Sequence, residues 1–156
     1  MSFQIRGLDP APFLPLFDLD DEALLAAGAR RTTADEPDAY PCRVSLKRAE
    51  PGEELLLVHH VHQPVATSPY RAGGPIFVGR SGRGAALFRD ELAPILRDRL
   101  LSLRAYDSDA LIVDAEVAEG DAVLDLIRRF LADPTVAYVH AHFARRGCFA
   151  ARIDRG

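Results

Sequence analysis

The stretch V-A-Y-V-H-A-H-F-A-R-R-G-C-F-A-A-R-I-D-R, from Val136 to Arg155, decides the fold. It reads as a β-hairpin, with strands at Thr135–Phe143 and Cys148–Ile153. Within Ala144-Arg145-Arg146-Gly147 only the glycine adopts a positive φ cheaply. A three-residue loop, Arg145-Arg146-Gly147, with Gly147 at its left-handed end is therefore expected. That register opposes Ala144 to Cys148, His142 to Ala150 and His140 to Arg152, all projecting from one face. A two-residue loop, Arg146-Gly147, would turn Cys148 to the other face. Two imidazoles, a thiol and a guanidinium on adjacent strands make this the first place to look for chemistry.

Working outward, Asp121 to Ala132 reads as an amphipathic helix. Val123, Ile127, Phe130 and Leu131 share one face, and Arg128 and Arg129 suit its C-terminal dipole. Asp133-Pro134 ends it. Before it, Leu101–Tyr106 and Ala110–Ala118 read as strands joined at Asp107-Ser108-Asp109. Phe88 to Leu100 is helix-like but broken at Pro94. Further strands are expected at Phe3–Leu8, Cys42–Leu46, Glu54–His62 and Pro75–Gly79, a helix at Asp20–Ala29, and a polar loop over Arg30–Pro41. Many strands in succession with few helices between them predict an α+β domain. Its architecture is a mainly antiparallel twisted sheet or partial barrel with two or three helices packed outside, and residues 1–156 form a single domain.

At 156 residues, 48% hydrophobic and 27% charged, the chain is long enough to bury a core without disulfides or metals. The net charge of −4 opposes the basic footprint of a nucleic-acid binder. The longest aliphatic run, Leu55-Leu56-Leu57-Val58, is far too short for a bilayer, so no membrane partner is expected. The N-terminus shows no basic region followed by an apolar one, which makes a cytoplasmic location the expectation. Cys42 and Cys148 are too few for a disulfide framework. Eighteen arginines stand against the single Lys47, a skew that fits a GC-rich bacterial genome.

Two further motifs carry chemistry. In His59-His60-Val61-His62, period-2 geometry puts His60 and His62 on one face, making them candidate metal ligands if this strand neighbours the terminal hairpin. Gly73 to Gly84 is glycine-rich and carries Arg80 and Arg83, which suit a small anion. It matches neither nucleotide-binding fingerprint, and no cofactor is expected.

The order of segments supplies a resemblance. Cys42-Arg43 is followed by Pro51-Gly52-Glu53, then by Ser68-Pro69-Tyr70 leading into Gly74-Pro75-Ile76-Phe77-Val78. Leu103 to Asp107 and the hairpin from Val139-His140 to Gly147-Cys148-Phe149 complete the series. This resembles a bacterial family of small single-domain proteins catalogued only as a domain of unknown function, over most of the chain beyond about residue 40. The resemblance singles out Cys42, Arg43, Tyr70, Arg104, Tyr106, His140 and Cys148. Where the family often has a His after the P-I-F-V segment and a Cys shortly beyond, this chain has Gly79 and residues such as Arg83.

An arginine on a core strand needs a partner or an open cleft. The expectation is therefore a polar cleft built around Arg43, Arg104, His140 and Cys148, with Tyr70, His142 and Arg152 as further ligand-binding candidates. Its ligand would be a small anion such as a carboxylate or phosphate. Two alternatives stay open. One is an enzyme in which Cys148 with His140 acts on a carbonyl or disulfide. The other is a homodimeric interaction domain using an exposed sheet edge.

Overall fold

The computed structural model describes residues 1–80 and 84–156. Among the described residues nine strands form two open, antiparallel sheets, neither closed on itself, accompanied by two α-helices. The larger sheet has the order β5-β1-β9-β8-β6-β7, built from Leu87–Arg89, Phe3–Arg6, Phe149–Arg155, Tyr138–Phe143, Leu101–Tyr106 and Ile112–Ala118. The smaller has the order β2-β3-β4, from Arg30–Thr33, Glu54–Gln63 and Ala72–Gly79. The α+β expectation holds, as open sheets rather than a partial barrel. Two short 3-10 helices, Leu14–Asp18 and Pro94–Leu96, accompany the two α-helices.

Alternation along the strands divides the large sheet into an apolar and a polar face. Leu101, Leu103 and Ala105 of β6 and Val139 and Ala141 of β8 point into a core with Phe3, Ile5 and Ile153. Helix α2, Ala122–Ala132, covers that core with Val123, Leu126, Ile127, Phe130 and Leu131. The opposite positions, Ser102, Arg104 and Tyr106 on β6 and Tyr138, His140 and His142 on β8, form the polar face. A second core, with Leu24, Val44, Leu55, Leu56, Ile76 and Val78 at its centre, underlies the small sheet. The β7 edge leaves Val113 and Val117 exposed.

Helix α1, Asp21–Ala26, starts where the Ala23 N–H donates to Asp20 Oδ1 at 2.8 Å. Asp20→Ala removes that cap and is expected to cost about 1 kcal/mol in urea unfolding. An unchanged midpoint would show that α1 contributes nothing to cooperative stability.

Three local expectations are corrected. Cys42–Leu46 is not a strand but a turn, reached by isolated bridges at Pro41–Arg48 and Cys42–Phe77. Long-range backbone bonds override its apolar pattern: Arg43 N–H donates to Phe77 O, and Leu8 N–H to Arg43 O. Arg30–Thr33, expected within a loop, is an edge strand whose pairing to β3 does not depend on apolar side chains. Phe88–Leu100 is not an α-helix, and only Pro94–Leu96 within it forms a 3-10 turn. Leu87–Arg89 pairs with β1, and Asp90 at φ 56° turns the chain while its carboxylate accepts the Phe3 N–H at 2.8 Å.

Candidate functional site

The terminal hairpin forms with Gly147 at φ 82°, but its loop is longer than expected. Gly147 N–H donates to Phe143 O at 2.7 Å and Phe143 N–H to Cys148 O at 2.9 Å, enclosing residues 144–147. His140 faces Arg152 as expected, whereas His142 faces Phe149 rather than Ala150, and a β-bulge absorbs the difference. Phe149, not Cys148, therefore joins the imidazoles. Cys148 instead lines a groove of about 940 Å³ between the hairpin loop, the small sheet and the turn carrying Arg43.

Arg43 is the most unusual group in that groove. Its side chain is only 3% exposed, yet no carboxylate lies within 4 Å of it among the described residues. Nε donates to Phe149 O at 2.8 Å and Nη1 to Pro41 O at 2.5 Å, and the guanidinium sits 5.1 Å from the Phe143 ring centroid. Two of five N–H donors are thus used, leaving three without a protein acceptor among the described residues. Burial pushes its pKa down to about 10, so it stays charged at neutral pH.

The second cluster fills the polar face where the two sheets meet. Four imidazoles surround the Phe149 ring, with centroid distances of 5.8 Å for His60, 5.4 Å for His62, 5.2 Å for His140 and 5.8 Å for His142. Strand β3 does neighbour the terminal hairpin, the condition on which the candidate metal ligands His60 and His62 depended. At the centre of the imidazoles, however, stands a phenyl ring, and among the described residues no three His, Cys, Asp or Glu side chains have metal-ligand geometry. Gln63 Nε2 donates to the Tyr138 hydroxyl at 2.8 Å, tying the sheets together beside the rings.

Three nitrogens in this cluster are buried without a partner among the described residues: His62 Nδ1, His140 Nδ1 and His142 Nε2. His142 Nδ1 lies 2.9 Å from Gly147 O, and a carbonyl can only accept, so Nδ1 carries the proton and Nε2 the lone pair. Burial holds all the rings neutral. It pushes His140 down to about 2, helped by His142, His62, Arg152 and Arg104 nearby. His142 falls to about 4, partly opposed by its bond to Gly147, and His62 to about 4 beside His60. His60 is lowered by burial and then by His59.

The residues singled out in the sequence thus divide between two places. Arg43 and Cys148 line the groove. Arg104 is half-buried on the imidazole face, where it opposes His140 across the β6–β8 ladder with Nε 3.5 Å from Ser102 Oγ. Arg152 lies over the Tyr138 ring at 3.9 Å and is paired with Asp154 at 2.9 Å, at the margin of the same face. Exposed Tyr70 stands edge-on to Tyr106 of that face, with ring centroids 6.5 Å apart. Among the described residues no hydrogen bond joins Cys148 to His140. Of the glycine-rich loop, Arg80 pairs with Asp18 and Glu54, and Arg83 lies outside the described residues. Sequence reading missed Gln63, Leu57 and Phe77. Their signal was the period-2 pattern of β3 and β4, legible only once the two strands are known to pair.

A family model described as "Protein of unknown function (DUF1203)" matches residues 39–155. No curated protein and no solved structure matches the chain. Strand β1 lies outside the matched span, yet it is hydrogen-bonded on both sides, between β5 and β9. No helix among the described residues is long and apolar enough to cross a membrane.

Proposed function

The chain belongs to the DUF1203 family, whose function is unknown, and from its own residues we propose that it binds a small anion, a carboxylate or phosphate, on Arg43. The observation that carries this reading is Arg43, a residue 3% exposed with no carboxylate partner among the described residues. Removing a cation from water costs several kcal/mol unless an anion and good hydrogen bonds offset it. The two carbonyls that Arg43 reaches offset only part of this. A carboxylate or phosphate on the unused donors would supply both charge and acceptors in the planar geometry that a guanidinium fork matches. Arg145 and Arg146, exposed beside the groove, add positive potential along the approach.

Cys148 reports on occupancy, since it is half-buried in the groove whereas Cys42 is buried. Inorganic phosphate or acetate is expected to raise the melting temperature and to slow alkylation of Cys148 by iodoacetamide. Arg43→Gln, which keeps a polar side chain but loses the charge, should weaken both effects by about tenfold or more. The reading fails if neither anion protects the thiol of the unaltered protein, a result that does not depend on how well the variant folds.

A further inference from the structure

Resting on that reading, we infer that the anion is the head of a larger ligand: a monocarboxylic acid with an apolar body lying along Leu57, Phe77, Tyr40 and Phe143. A groove of about 940 Å³ is in the range that holds drug-sized molecules, and an inorganic anion displaces only a few waters. Its floor is apolar by construction. Leu57 and Phe77 are register partners on β3 and β4, so their side chains stand together on one face. Tyr40 closes on Phe77 edge-to-face at 5.2 Å, and Phe143 lies beneath the Arg43 guanidinium at 5.1 Å. Leu57, Phe77 and Phe143 are only partly buried, which leaves aromatic and aliphatic surface facing the groove.

The groove is lined by Arg43, Arg99, Arg145 and Arg146 against Asp38, Asp98 and Glu119, and Asp38 is already paired with Arg48. The remaining excess is positive, and the single buried guanidinium of Arg43 takes one carboxylate.

The test compares acetate, inorganic phosphate, 4-phenylbutyrate and 4-phenylbutanol on the full chain, by calorimetric titration and by protection of Cys148 from iodoacetamide. The expected result is 4-phenylbutyrate binding at least about tenfold more tightly than acetate or phosphate, with the alcohol weaker than the acid. Leu57→Ser, checked for folding by circular dichroism, should weaken 4-phenylbutyrate by a larger factor than it weakens acetate. If acetate or phosphate binds as well as 4-phenylbutyrate, the apolar body is wrong and the anion site stands. If the alcohol matches the acid, or if nothing binds, the anion reading falls and this inference falls with it.

Discussion

Between pH 6.5 and 4.5 the urea midpoint is expected to fall steeply, before ordinary carboxylates protonate. The cause is the imidazole cluster. His142 is fully buried and His140 2% exposed, and both are held neutral with pKa values pushed down to about 4 and about 2. In the unfolded chain the same groups titrate near 6.5. Below that pH the unfolded state takes up protons that the fold refuses, so stability is complete above pH 6.5 and is lost as pH falls. Two such groups give a slope of roughly 2.7 kcal/mol per pH unit at full development. Against a typical total of about 5–15 kcal/mol, the roughly 6 kcal/mol lost by pH 4 is a large share of the stability. The groups facing these rings do not relieve them: His60, His62, Arg104 and Arg43 all carry or acquire positive charge, and Asp154 is engaged by Arg152.

His140→Leu removes one of the two most deeply buried titrating groups. Its slope should drop by about one proton, making the variant the more stable protein at pH 5. A midpoint flat from pH 7 to 4.5 would mean that the rings accept protons without penalty. The acid limb belonging to Asp90 and Asp133 lies lower. Their carboxyls are held below the usual range chiefly by the backbone bond from Phe3 and the side-chain bond from Thr135, so their contribution disappears only as pH falls through those depressed values.

Gly7→Ala is expected to be the most damaging single change to the fold. A β-carbon there would stand 2.0 Å from Val44 O, 2.9 Å from Val44 C and 3.1 Å from Ala86 N, all backbone atoms. No rotamer relieves such a contact, so the three segments must separate. Gly7 N–H donates to Ala86 O, Ala86 N–H to Val44 O and Leu8 N–H to Arg43 O, and separation strains this set of bonds. The cost should reach about 3 kcal/mol or more, seen as a melting temperature lower by roughly 10 °C. Because the same bonds hold the Arg43 backbone, protection of Cys148 by anions should weaken as well. A melting temperature within about 2 °C of the parent would show that the three segments yield to a β-carbon without losing these bonds.

The sequence by itself determined the elements whose signal is local. Helix α2 follows from the spacing of Val123, Ile127 and Phe130, the β6–β7 and β8–β9 hairpins from alternation and turn residues, and the left-handed Gly147 from the absence of a β-carbon. It also placed His140 opposite Arg152 and grouped His60 with His62. Only the tertiary structure decided which residues share a site. A bulge near Ala150 costs one ladder step, and it lets Ala150 and Ala151 both enter the core under α2. That choice sends Phe149 among the imidazoles and Cys148 to the groove with Arg43. It arises from packing summed over strands far apart in sequence, where no local pattern carries the answer. The Cys42–Leu46 turn has the same origin: its backbone is bonded to Leu8, Phe77 and Ala86, none of them a neighbour in the chain.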